Sequence, residues 1–312
     1  MQKILFIFIG LLIILFALPV YADAADDDKG LEDSMTFHVY DDVDLVSTLK
    51  FEYGKPRIVI KSVYPQLASE MPRDGVETFN AISLQIVKDE ISRYRSLVKE
   101  NADLQNKMDK KTISNHLYID YNTSYLKPSR DHIISVRFGV QGYIGGKKFP
   151  YHEYTALNYN LDKNQKIELS DLFISDSNYL DIMSRYVYGV LQKRFQSITR
   201  TSGAAPRMEN YSVFNIKPNG LLITFNESQV VPRALGAQTV LIPWSVVVRV
   251  ISPDSVIATC IDHPTKCLRH NLLTGGFIDE ADASKKENMQ RLATNSGFLF
   301  DRFFNYLYSF QR

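Results

Sequence analysis

Two apolar periodicities take turns along this chain, and their order constrains the fold more than any single motif does. Runs that alternate and are rich in β-branched residues fall at 36–40, 57–64, 115–125, 132–143 and 151–161. His132-Ile133-Ile134-Ser135-Val136-Arg137-Phe138-Gly139-Val140 shows the alternation best. Between the second and third run, Val76, Phe79, Ile82, Ile86, Tyr94 and Leu97 repeat at helical spacing. Asp74-Gly75 is the expected start of that helix and Asn101 its fraying end. The charged stretch from Lys99 to Lys111 then reads as a solvated loop or helix end.

A second amphipathic helix is predicted over 177–198, with Leu180, Met183, Val187, Val190 and Leu191 on its stripe. A polar linker is expected at 199–207, and strands return at 211–216 and 220–226 around the tight-turn sequence Lys217-Pro218-Asn219-Gly220. Thr239–Ile251 reads as a long β run interrupted by Pro243, and Tyr64-Pro65-Gln66-Leu67 as a strand break. An aromatic helix is expected over 284–309. Strands, helix, strands, helix, strands make an α+β protein. Its sheets should be mostly antiparallel and packed with two amphipathic helices, plus a C-terminal helix.

Length and charge narrow the function classes. At roughly 150 residues per domain, 312 residues suggest one or two domains. Lys+Arg total 36 against 35 Asp+Glu. That balance argues against a broad nucleic-acid surface, which needs a concentrated cationic face. Met1-Gln2-Lys3 precedes an apolar run from Ile4 to Leu18, then small residues at Ala22 and Ala24. This is the layout of a signal peptide, residues 1–24, on a periplasmic or secreted protein. An uncleaved anchor is the alternative. Residues 25–35, with Asp26-Asp27-Asp28, read as an acidic leader.

The two cysteines, Cys260 and Cys267, are close in sequence. Export favours a local disulfide, worth about 2–3 kcal/mol in the chain-entropy model. Free thiols, or a zinc site with His263 and His270, are the other readings. The spacing fits no common structural zinc pattern.

Catalytic motifs are sparse. No G-x-S-x-G, H-E-x-x-H or P-loop occurs, and Gly145-Gly146-Lys147-Lys148 lacks phosphate-loop spacing, so it reads as a hairpin tip. Glu168 and Asp171 are explained equally by a cap or by paired carboxylates. His152-Glu153 beside Tyr151 is the first place to look for acid–base chemistry. No catalytic residue, metal or cofactor is assigned.

Tyr64-Pro65-Gln66-Leu67, the helix near Phe79-Asn80 and the β segment 132–143 together resemble the exported domain placed ahead of the catalytic region in PdaC-type peptidoglycan deacetylases. The block from Tyr151-His152 through Asn160-Leu161-Asp162 to Leu169-Ser170-Asp171-Leu172-Phe173 is similar to the lysozyme-binding exterior of RsiV-type anti-sigma factors. Phe214–Leu221, Val231–Gly236 and Leu241-Ile242-Pro243-Trp244 resemble its closing pattern. The resemblance spans about 36–250. It divides the chain into a PdaC N-terminal-like domain at 36–148, an RsiV C-terminal-like domain at 149–250, and an extension at 251–312 holding the cysteines and the last helix.

Neither output of those families is expected. Three residues before the apolar run leave no sigma-binding segment, and T-F-D-D-G-[TP] with its paired-histidine helix does not occur. The resemblance therefore implies an exported binding protein, not an enzyme, whose ligand is lysozyme or a peptidoglycan fragment. Tyr143, Tyr151, His152, Tyr211 and Arg233 are the candidate ligand contacts, with Trp244 a further aromatic. Lysozyme is cationic, so a face for it should be acidic or aromatic. The alternatives are an assembly protein joined to another envelope protein through the C-terminal helix, and an uncharacterised cell-wall hydrolase.

Overall fold

The structure, a computed structural model, describes residues 32–40, 43–55, 57–69, 73–109, 113–128, 131–196, 199–262 and 268–272. The expected signal peptide, Cys267 and the C-terminal helix lie outside the described residues.

The fold is mixed α+β. Its eight-stranded main sheet runs β1 (Glu32–Tyr40), β2 (Val43–Gly54), β3 (Ile58–Ser69), β4 (Asn115–Leu126), β5 (Ile133–Tyr143), β6 (Tyr151–Asn160) and β7 (Gln165–Lys166) in chain order, with the late strand Leu268–Leu272 pairing antiparallel to the end of β4. Neighbours are antiparallel except β3 and β4, which run parallel over Ile58–Ser62. The helix α1 (Asp74–Glu100) makes that crossover, as a parallel connection requires. Its stripe of Val76, Phe79, Val87, Ile91, Tyr94 and Val98 packs on Leu117, Ile119, Tyr121, Val136 and Phe138. Those strand residues alternate with polar ones, so the apolar set turns to the helix and the polar set to the other face.

β1 begins inside the expected acidic leader, and Glu32–Met35 pair with Lys50–Ser47 of β2. The charged 99–111 stretch holds a short helix, α2 (Ala102–Asn106), anchored by the buried amide pair Gln105–Asn115 at 2.9 Å.

Pro65 does not break β3. Its carbonyl accepts a hydrogen bond from Ser83 Oγ of α1 at 2.7 Å, so it points away from β2. In an extended residue the N and C=O point the same way. The N–H that proline lacks therefore faces the helix, and no ladder bond is lost.

A second body forms around the antiparallel sheet β8 (Phe214–Lys217), β9 (Gly220–Phe225) and β10 (Gln238–Pro243), with α3 (Tyr179–Phe195) packed on it. Met183, Val187 and Leu191 are the buried stripe of α3. Three expectations change here. The β run ends at Pro243, whose extended backbone is the N-cap of the short helix α4 (Trp244–Val247). Residues 199–207 are not a free linker, because Thr201–Ala204 form a 3₁₀ turn with Gly203 and Ala204 buried. Residues 208–211 are likewise a 3₁₀ turn, so β8 starts later than expected.

The main sheet continues past residue 148, since β6 pairs with β5 from Tyr151 to Asn160. From Ile167 onward the buried apolar residues belong to the second core, which also takes in Leu126 of β4 and Ile133 of β5. The bodies meet through a buried polar seam. Ser124 Oγ donates to Ile216 O at 2.5 Å, Asn215 Nδ2 to Ser135 Oγ at 3.0 Å, and Asn158 Nδ2 to Phe214 O at 2.9 Å. Buried polar groups satisfied in this way fix register as well as contact.

Candidate ligand-binding face

β8 covers the Ser124–Ser135–Asn158 end of the polar sheet face, and Thr224 of β9 reaches Arg137. Among the described residues no helix packs on the remainder, though Phe51, Asn122 and Arg137 on it are buried. Register sets its residues in rows. Tyr53, Val59, His116 and Tyr143 are cross-strand partners in one row, and Phe51, Lys61, Tyr118, Gln141 and His152 in the next. Asp120, Gly139 and Tyr154 make a third, and Asn122, Arg137 and Ala156 a fourth. Tyr53 is 57% exposed, Tyr118 41% and Val59 36%. His116 stacks on Tyr143 at 5.3 Å with 26° between planes, and lies 5.3 Å from Tyr118.

Beside these rings lies an ionisable group that the sequence reading passed over. Asp120 has Gly139 as its cross-strand neighbour, and its Oδ1 is sealed from water without a hydrogen bond. Desolvation pushes its carboxyl up to about 8, against the opposing pull of Arg137 and Lys61. Burial lowers Lys61, with Asp120 working the other way, and it also lowers His116. The Arg137 guanidinium sits 5.3 Å over the Tyr154 ring and donates to Thr224 Oγ1 at 3.2 Å. A carboxyl that holds its proton near neutrality can donate a hydrogen bond where a carboxylate could only accept. The signal was in β4 itself: Asp120, Asn122 and Ser124 recur at every second position, opposite the apolar Leu117, Ile119 and Tyr121.

Among the expected contacts, the fold gathers Tyr143, His152 and Arg233 at this end of the sheet. His152 Nδ1 lies 2.8 Å from Glu227 Oε1, and Arg233 Nε donates to Glu227 Oε2 at 3.1 Å. Tyr151 turns to the opposite face, packed flat on Gly142 and 5.4 Å from the Arg93 guanidinium. Burial raises its hydroxyl to about 12. Tyr211 is not a surface contact: it is fully buried, edge-on to Phe225, and donates to Ala204 O at 2.7 Å. Trp244 is core, with Nε1 donating to Pro218 O at 3.0 Å. Glu168 and Asp171 form a capping box. Cys260 is fully buried in the second core. No group of three or more metal-ligating side chains occurs among the described residues.

The architecture is thus a mixed α+β body in which, among the described residues, the end of the polar sheet face that carries Tyr53, Val59 and Tyr118 is exposed. Residues 170–245, which include α3 and the β8–β10 sheet, match the family described as "Protein of unknown function (DUF3298)". The peptidoglycan-N-acetylmuramic acid deacetylase PdaC of Bacillus subtilis is 29% identical over 188 residues, which is 55% of this chain and 38% of that protein. The match therefore spans well under half of that relative. A DUF3298-family crystal structure from Bacteroides fragilis superposes with a TM-score of 0.53 at 14% identity, covering 75% of this chain and 98% of that one. That likeness is one of fold. A second, from Pseudomonas aeruginosa PAO1, gives a TM-score of 0.40 at 10% identity, covering 73% and 96%.

Proposed function

We propose that this chain is an exported envelope protein that binds a peptidoglycan-related glycan on the open sheet face, without catalysing its turnover. The observation that carries this reading is the cluster of rings that two adjacent rows bring together, Tyr53, His116 and Tyr143 in one and Tyr118 in the next, beside Lys61, Asp120 and Arg137. Flat exposed rings accept the apolar faces of sugars, and neighbouring polar groups fix their orientation. The face is aromatic but not acidic, because Asp120 holds its proton near neutral pH while Lys61 and Arg137 are cationic groups. That balance favours a glycan over a cationic protein such as lysozyme. In the same reading Cys260 pairs with Cys267, which intact-mass measurement before and after reduction checks.

Calorimetry of the protein from residue 25 onward against solubilised peptidoglycan fragments and against lysozyme tests the proposal. Saturable glycan binding is expected, weakened about tenfold in Tyr118→Ala and in Tyr143→Ala. Lysozyme binding alone, or glycan binding that survives both substitutions unchanged, overturns it.

A second reading rests on Asp120. A carboxyl titrating near neutral pH is suited to general acid–base work, which would make the face a hydrolase site. Release of soluble products from peptidoglycan, lost in Asp120→Asn, would establish that reading instead.

A further inference from the structure

The loop joining β5 to β6 carries a surface that the glycan face does not use. Its root is held rigidly: Gly145 N–H donates to Asn115 Oδ1 at 2.9 Å, and Lys147 N–H to Ile144 O at 2.9 Å. Gly146 adopts φ 89°, a left-handed conformation suited to glycine. Beyond it, Lys147 and Lys148 are exposed and Phe149 is 55% exposed. Lys148 Nζ lies 5.1 Å from the Phe149 ring centroid and the Arg233 guanidinium 5.7 Å from it. Arg233 also donates to Pro150 O, which ties this tip to the second body. Leu235 follows at 43% exposure, and Leu104 of α2, 40% exposed, lies against Gly146.

The charges on this surface have one prevailing sign. Arg233 pairs with Glu227, which is mostly buried between it and His152, and Asp109, after α2, is an exposed acidic residue next to Met108, which lies against Gly146. On α2 and just after it, Asp103 and Lys107 offset each other. We infer that this tip docks on an anionic lipid surface, with Phe149 and Leu235 entering the headgroup–acyl boundary and Lys147, Lys148 and Arg233 meeting the phosphates. Charge complementarity selects an anionic partner. The exposed Phe149 ring and the Leu235 and Leu104 side chains select a bilayer over a soluble polyanion, because only an apolar phase rewards removing them from water.

Vesicles test this directly, using the protein from residue 25 onward, which keeps every described element. Co-sedimentation with phosphatidylglycerol-containing vesicles is expected to exceed that with pure phosphatidylcholine, and to weaken with salt. Lys147→Ala with Lys148→Ala should lower the affinity by roughly tenfold or more. Phe149→Ser should lower it comparably while leaving the salt dependence in place. Both variants change exposed residues, so an unchanged melting temperature is the control. Equal binding to the two vesicle types overturns the inference, as does wild-type affinity in both variants. Binding to soluble polyphosphate without binding to vesicles overturns it too, in favour of an anionic polymer. Glycan calorimetry on the same variants keeps the two proposals separate, since the tip lies outside the ring rows.

Discussion

The side-chain amide of Asn80, on α1, holds the backbone of Leu67, on β3, as a neighbouring strand would. Oδ1 accepts the Leu67 N–H at 2.7 Å and Nδ2 donates to the Leu67 carbonyl at 2.8 Å. Beside it Gln66 Nε2 donates to Asn80 O at 3.2 Å and Ser83 Oγ donates to Pro65 O. β4 has left β3 by this point, its parallel pairing ending at Ser62. The helix thus takes over from a strand in satisfying the far half of β3.

Asn80→Ala should accordingly cost more than an exposed substitution on the same helix. It leaves a donor and an acceptor of a nearly buried residue unmet, each worth about 1–3 kcal/mol. Urea unfolding should show a loss of about 2 kcal/mol or more with an unchanged slope. Asn80→Asp keeps the acceptor for Leu67 N–H but loses the donor, so it should fall between the two. A loss below the usual surface range in Asn80→Ala would mean that water replaces the amide freely.

Asp120 makes a pH prediction whose sign is opposite to that of a salt-bridged carboxylate. Its folded value is raised to about 8, mainly by desolvation. The folded state therefore holds the proton after the unfolded chain has released it. The stability this group contributes is fully present below the unfolded value and is lost as pH rises through the folded one. Between about pH 4 and pH 8, the wild type should lose melting temperature relative to Asp120→Asn, and the gap should level off above that range. A difference that stays constant from pH 5 to pH 9 would show that the carboxyl is not desolvated.

The frame was legible because it follows from periodicity. Alternation in β4–β6 and the helical stripe of α1 each set one face against the core, and the α1 limits at Asp74 and Asn101 agree with the sequence reading. What sequence could not show was where a local rule is overridden by a distant partner. Pro65 reads as a break until Ser83 is placed opposite its carbonyl. Tyr211 reads as a loop aromatic until Ala204 is placed under its hydroxyl. Asp120 is one carboxylate among 35 acidic residues. It becomes distinctive only when register brings Gly139 beside it and Lys61 and Arg137 near it. Candidate contacts chosen from motif neighbourhoods therefore divided between the open face, the helix face and the core.

Glycine substitutions in the two long helices separate local propensity from tertiary packing. An added Cβ on Gly75 would lie 1.9 Å from the Leu161 carbonyl oxygen and 2.7 Å from its carbon. Those are backbone atoms, and they cannot swing aside like the end of a side chain. The neighbouring chain is also pinned, since Asp162 lies 2.8 Å from His132 Nδ1 and 3.8 Å from Arg73. On Gly189 of α3, an added Cβ meets nothing within 4 Å. Alanine favours a helix over glycine by about 1 kcal/mol, so propensity alone predicts that both substitutions stabilise. Packing predicts otherwise: Gly75→Ala should destabilise by about 1–3 kcal/mol through forced backbone movement, while Gly189→Ala should stabilise by about 0.5–1 kcal/mol. Equilibrium unfolding of the two single variants decides the matter. A gain in both would show that the junction between the start of α1 and Leu161 yields to a methyl group, whereas opposite signs would show that close backbone approach is what requires glycine at residue 75.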